Sequence, residues 1–210
     1  DKERFMRAKI EFGIVSICYF SNLSMQPEKK RALQYLKQNI DECDDISLKL
    51  YAKMIIANNV NDDVERLKML CDGVALAKDK GDIWLEANYN LLLAISLRDS
   101  LRLKRFGKEL PEYGVVLNPG QIPGDEFALS LALKAADGFK EYGDCYMNIE
   151  ALSVAASCNT EYGRYENALQ YVERALSLVN DYYRNYYPSR EELCSNTLDA
   201  YSEGAYVDDV

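Results

Sequence analysis

Apolar side chains recur every three or four residues along almost the whole chain, which is the spacing of one face of an α-helix. The segment 161–179, with the sequence EYGRYENALQYVERALSLV, shows this clearly, because Ala168 and Ala175 fall on one helical face. The one short run that resembles a strand is YGVVL at 113–117. The pattern therefore predicts an all-α protein, with helices at about 3–24, 28–42, 45–59, 63–80, 83–106, 125–142, 145–162 and 165–186 and an amphipathic segment after Pro188.

Two of the predicted turns share one sequence pattern. KDKGDIWL begins at Lys78 and KEYGDCYM begins at Lys140, an offset of 62 residues, and both contain glycine followed by aspartate. Glycine favours the end of a helix because it adopts a left-handed backbone without strain. Aspartate favours the start of the next helix because its carboxylate accepts a hydrogen bond from a free backbone N–H. The repeated boundary indicates helix pairs that recur along the chain, with sequence neighbours packed antiparallel.

The charge and the residue types present exclude several functions. The 210 residues carry a net charge of -9 and include no histidine. An acidic surface repels phosphate backbones, which argues against nucleic acid as a partner. Without histidine, Ser-His-Asp catalysis, Cys-His catalysis and His-bearing zinc sites are excluded within this chain. We therefore expect no enzymatic activity, no cofactor and no metal.

The cysteines and the length of the apolar runs support a plain helical core. No two cysteines are two or three residues apart, so the paired spacing of a cysteine-rich zinc site is missing; they are Cys18, Cys43, Cys71, Cys145, Cys158 and Cys194. Most lie within apolar stripes, and we expect them to be small buried side chains. No run approaches the roughly 20 apolar residues that span a bilayer, so we expect no membrane span.

The segment 145–179 contains a more specific pattern. It joins two amphipathic helices by a turn at Gly163, across which Tyr165 is expected to pack. The residues that form the pattern are Leu152, Ala156, Gly163, Tyr165, Ala168, Ala175 and Leu178. In their order and spacing the segment resembles a tetratricopeptide repeat, with Asn159 where the family favours tyrosine and Asn180 where it favours proline.

The resemblance implies a right-handed superhelical solenoid of about four antiparallel helix pairs. It also implies a single domain over residues 1–210, with a capping segment at 188–210. In this family the first helix of each pair lines a concave groove that holds a protein or peptide partner. The groove residues that we expect are Glu150, Ser153, Ser157 and Thr160 and, at the 62-residue offset, Asn88 and Arg98. The predicted helix 145–162 contains no lysine or arginine, which disfavours the carboxylate-clamp members of the family.

The offset between the two boundaries also predicts an insertion. A plain repeat of this family recurs after about 34 residues, so roughly 28 extra residues lie between Trp84 and Tyr146. They fall at about 98–124, a stretch that contains three prolines. Two interpretations are open: a tolerated surface insertion, or a docking arm for an acidic partner segment. In the second interpretation Arg102 and Arg105 contact the partner.

The degenerate repeats also resemble the sensor regions of membrane-anchored bacterial regulators. That resemblance implies a sensory or interaction region of a signal-transduction protein, located outside the cytoplasmic membrane, with a membrane span downstream; the chain is then expected to be a fragment. The alternative is a cytoplasmic scaffold or peptide-sensing adaptor. A third class is an α-helical enzyme that uses the carboxylates of Glu42, Asp44 and Asp45, although such a cluster is also typical of a polar turn between helices.

Overall fold

The computed structural model describes residues 2–23, 25–98 and 125–186, and these residues are helical apart from the turns between helices. The helices are α1 (Lys2–Asn22), α2 (Gln26–Asn39), a 3-10 turn (Ile40–Glu42), α3 (Ile46–Asn58), α4 (Asp63–Lys80), α5 (Ile83–Leu97), α6 (Asp125–Tyr142), α7 (Cys145–Glu161) and α8 (Tyr165–Tyr186). No strand occurs in this part of the chain, so the predicted all-α fold is confirmed. The strand-like run at 113–117, the predicted insertion at 98–124 beyond Arg98 and the predicted capping segment at 188–210 lie outside the described residues.

The eight α-helices of the described ranges pack in consecutive pairs: α1 with α2, α3 with α4, α5 with α6, and α7 with α8. The second helix of each pair also contacts the first helix of the following pair. In addition, the first helices contact one another in order, α1 with α3, α3 with α5, and α5 with α7. None of the helices described combines the length and the apolar character that a membrane span requires.

The two predicted Gly-Asp boundaries form as the sequence indicates. Gly81 ends α4 with a φ of 67° and Gly143 follows α6 with a φ of 88°, both in the left-handed region. The next residue in each case, Asp82 or Asp144, caps the following helix through its side chain. These turns set the position at which each new pair begins.

The core consists of two apolar clusters. The larger one joins α3 through α8, and the smaller one joins α1 and α2 to α3. Cys43, Cys71 and Cys158 are buried, and burial raises the pKa of the Cys71 thiol to about 12. Cys18, however, is exposed, so the expectation of a buried side chain is wrong for this residue. Its helix α1 is covered on one side only, and Cys18 lies on the open side.

Among the glycines that the structure describes, Gly73 of α4 leaves the least room for a side chain. A Cβ atom at this position would lie 2.0 Å from Cε1 of Tyr89 in α5. The Tyr89 ring is fully buried, and its hydroxyl donates a hydrogen bond of 2.6 Å to the carbonyl oxygen of Leu50 in α3. Burial also raises the pKa of the Tyr89 hydroxyl, so it stays protonated and remains a donor. Gly73 therefore makes room for the ring that ties three helices together.

We predict that Gly73→Ala destabilises the protein by about 3 kcal/mol, the upper end of the usual cost of overpacking, because the anchored Tyr89 ring cannot move aside. At an exposed helix position without such a contact, replacing glycine by alanine would instead stabilise the helix by up to about 1 kcal/mol. Urea denaturation measures the change. Gly13→Ala is the matched control, since its new Cβ would lie 3.1 Å from Cδ1 and 3.3 Å from Cβ of Leu36, a far smaller overlap than at Gly73; it should change stability by less than about 1 kcal/mol. Equal effects at the two glycines would contradict the packing described.

Candidate functional site

Three aspartates mark the start of three first helices: Asp45 before α3, Asp82 before α5 and Asp144 before α7. We call them the cap row. In each case Oδ1 accepts a hydrogen bond of 3.0 Å from the backbone N–H three residues further along. This satisfies one of the N–H groups that a helix leaves without a partner in its first turn.

The second carboxylate oxygen of each aspartate contacts the preceding helix pair, through a hydrogen bond at Asp82 and Asp144 and through an ion pair at Asp45. Nε1 of Trp84 in α5 donates to Oδ2 of Asp144 at 3.0 Å. Oγ of Ser47 in α3 donates to Oδ2 of Asp82 at 3.4 Å, a long bond. Nη1 of Arg7 in α1 lies 3.6 Å from Oδ2 of Asp45 and forms an ion pair with it. The cap row thus links each helix pair to the next at the same structural position.

Aromatic rings lie beside the cap row. The Trp84 ring centroid is 5.8 Å from that of Tyr51 in α3 and 6.4 Å from that of Tyr142 at the end of α6. The rings are tilted by 46° and 51° to one another, so they neither stack flat nor meet edge-on. The three rings form an aromatic wall in which Trp84 contacts both tyrosines.

This wall borders an open cavity of about 310 Å³, which we call the aromatic–acidic cavity. It extends across three helix pairs and is lined by Arg7, Asp45, Ser47, Leu48, Tyr51, Asp82, Trp84, Leu85 and Tyr142. A hydrogen bond from Arg7 to Glu11 and the charge of that carboxylate raise the pKa of the Arg7 guanidinium. Burial raises the pKa of the Tyr51 hydroxyl, which stays neutral. The cavity offers ring faces, hydroxyl groups and charges of both signs, a combination suited to holding a side chain.

Four of the predicted groove residues share α7. Glu150, Ser153 and Thr160 are exposed, and Ser157 is half-buried. The hydroxyls of Ser153 and Thr160 each donate to a backbone carbonyl oxygen one turn earlier in their own helix. Glu150 accepts from the hydroxyl of Tyr146 at 3.5 Å. This part of α7 therefore presents a polar face, separate from the aromatic–acidic cavity.

The other two groove residues do not join that face. Asn88 is only 6% exposed, and its Nδ2 donates to the carbonyl oxygen of Trp84 at 2.9 Å. Arg98 is half-buried at the end of α5. The predicted exposure of Asn88 is therefore wrong, because α5 has first helices on both sides whereas α7 contacts one among the described elements. Arg102 and Arg105, the predicted docking arm, lie outside the described residues.

The repeat-signature residues are mostly in the interface between α7 and α8. Leu152, Ala156, Ala168 and Ala175 are buried, Leu178 is half-buried, and Gly163 makes the turn with a φ of 71°. Tyr165, however, is 69% exposed, so the prediction that it packs across the turn is wrong. It begins an exposed apolar stripe with Leu169, Val172 and Leu176. That stripe lies beside the face through which Ala168 and Ala175 pack.

The acidic cluster considered for an enzyme, Glu42, Asp44 and Asp45, borders an open cavity of about 190 Å³ together with Lys2, Glu3 and Arg7. Asp45 caps α3 and pairs with Arg7, while Glu42 and Asp44 are exposed. Among the residues that the structure describes, no group of three or more metal-ligating side chains is close enough to hold an ion. The role that the structure shows directly is that of Asp45, which caps α3.

The sequence did contain a signal for the aromatic–acidic cavity. Trp84 and Tyr146 both follow a capping aspartate by two residues, in the repeated Gly-Asp-x-aromatic boundary. That spacing places the aromatic side chain in the first turn, next to the following pair. Tyr51 and Tyr142 could not be found in this way, because their contact with Trp84 depends on packing between helices distant in sequence.

Comparison of the chain with protein-family models, with curated proteins and with solved structures finds no match. Functional inference for this chain therefore rests on its own geometry. The strongest regularity in that geometry is the repeated bonding of the cap row beside the aromatic–acidic cavity.

We predict that Asp144→Ala lowers the free energy of unfolding by about 2 kcal/mol, since it removes both a helix cap and the acceptor for Trp84. Asp62→Ala is the matched control, because Asp62 caps the second helix α4 through Oδ1 and bonds only within its own pair. That control should cost about 1 kcal/mol. Trp84, the single tryptophan, should change its emission in the first variant and keep it in the second. Equal costs together with unchanged emission in both variants would contradict a link between helix pairs.

Proposed function

We propose that this chain is a non-enzymatic helical-repeat module of the tetratricopeptide kind, which binds a protein or peptide segment along the edge formed by its first helices. The observation that carries the proposal is the repeated link between helix pairs. α1, α3, α5 and α7 contact one another in order, and at each junction a capping aspartate contacts a side chain of the preceding pair, by a hydrogen bond at two junctions and by an ion pair at the third. Such regular stacking supports a right-handed superhelical solenoid of about four pairs.

The edge has the surface properties of a binding site. Aromatic rings supply large contact area at low cost in conformational entropy, and they are enriched where proteins meet partners. Here Trp84 and Tyr51 are half-buried and Tyr142 is exposed, so the rings are held in place yet remain accessible. Arg7 and Asp82 provide polar groups at the cavity border. A bound segment would place one anchor side chain in the aromatic–acidic cavity and follow the first helices on either side.

The biological setting that we favour is the sensory or interaction region of a bacterial signal-transduction regulator. This setting is supported by the resemblance between the degenerate repeats of the chain and the sensor regions of such regulators. The alternative remains a cytoplasmic scaffold or peptide-sensing adaptor, which would use the same edge. A membrane span and an output domain encoded downstream of this segment would favour the regulator, and their absence from the gene would favour the scaffold.

We predict that peptides selected against the immobilised protein from a displayed random library depend on the aromatic–acidic cavity. Tyr142→Ala should weaken capture at least tenfold, a change of about 1.4 kcal/mol, while helical content by circular dichroism stays constant. The control is Tyr165→Ala, which removes an equally exposed tyrosine from the second helix α8. If capture of the selected peptides weakens only in the control variant, the binding site lies outside the aromatic–acidic cavity. A library that gives no bound peptide would contradict the proposed function.

A further inference from the structure

The aromatic–acidic cavity has a definite electrostatic character. The faces of aromatic rings carry negative potential, and the indole ring attracts cations most strongly. Trp84 also donates its Nε1–H to the carboxylate of Asp144, and this polarises the ring toward greater electron density. The Tyr51 and Tyr142 rings lie 5.8 Å and 6.4 Å from the Trp84 ring, and all three residues line the cavity.

The charged groups at the cavity border, like the aromatic rings, favour a positively charged ligand. Two carboxylates, those of Asp45 and Asp82, line the cavity together with one guanidinium, that of Arg7. Arg7 is engaged by Glu11 at 2.9 Å and by Asp45 at 3.6 Å, so its charge is already balanced. Among the described residues, Oδ2 of Asp82 receives only the 3.4 Å bond from Ser47, which leaves it acceptor capacity. The chain as a whole carries a net charge of -9, which attracts cations and repels anions.

We propose that the aromatic–acidic cavity takes a cationic side chain, lysine or arginine, of the bound partner. The cation contacts the faces of Trp84 and Tyr51, and its N–H groups donate to Oδ2 of Asp82. The assignment rests on the proposed function and adds the chemical class of the anchor residue. It excludes acidic partner segments from this edge.

The test uses model cations, because they probe the cavity without knowledge of the partner. The full 210-residue chain contains one tryptophan, so its ¹⁵N-labelled form gives a single indole N–H signal, that of Trp84. Butylammonium and methylguanidinium are titrated at constant ionic strength, with 1-butanol as the neutral analogue. We expect a saturable shift of the indole signal with both cations and none with the alcohol.

Two variants and one control locate the binding. Asp82→Asn keeps an oxygen to cap α5 but removes the charge, and Tyr51→Leu removes one ring; each should weaken cation binding at least threefold. Tyr165→Leu, on the second helix α8, should leave it unchanged. Shifts that fail to saturate, or that are equal for butanol and butylammonium, would overturn the cationic assignment. If the cation test fails but peptide capture still depends on Tyr142, the proposed function stands and the anchor side chain is neutral. If the cation test fails and peptide capture does not depend on Tyr142 either, the cationic anchor and the proposed function are both wrong.

Discussion

Successive helix pairs of this molecule are joined by aspartate side chains that use both carboxylate oxygens. In Asp144, one oxygen caps α7 while the other holds the indole N–H of the preceding pair. Asp82 has the same arrangement with a 3.4 Å bond from Ser47, and Asp45 has an ion pair with Arg7 in its place. Because both oxygens of Asp144 belong to one planar group, the start of α7 is held relative to the pair before it. A single residue type at the helix start therefore determines local structure and the position of the next pair together.

This constraint connects stability with function. The donors to the cap row vary in strength, from the 3.0 Å bond of Trp84 to the 3.6 Å ion pair of the exposed Arg7. Exposed ion pairs contribute little, typically 0–1 kcal/mol, so the junction between the first two pairs is held mainly by apolar packing. The Trp84 junction is stronger, and it carries the aromatic wall. The part of the edge that would hold a ligand is thus also the part most firmly positioned, which favours binding without reorganisation.

Sequence patterns predicted most of the fold and little of the site. The helices and the Gly-Asp turns follow from periodicity and capping, which act within a few residues of the chain. Burial of Asn88 and exposure of Cys18 and Tyr165 depend instead on which helix faces are covered by neighbours. The same holds for the meeting of Tyr51, Trp84 and Tyr142, which belong to three different helices. The repeated Gly-Asp-x-aromatic boundary was the only local sequence pattern that pointed to the cavity. The atom that Trp84 bonds to, Oδ2 of Asp144, belongs to the next helix pair.

A double-mutant cycle at one junction tests most directly whether the cap row couples successive helix pairs. Trp84→Phe removes the N–H donor but keeps a ring, and Asp144→Asn keeps a helix cap but removes the charged acceptor. Urea denaturation of the wild type, both single variants and the double variant gives the coupling energy. We predict a coupling of about 1–2 kcal/mol, the value expected for a hydrogen bond to a charged group. A coupling within about 0.3 kcal/mol of zero would show that the two pairs are held together without this bond and would contradict the account.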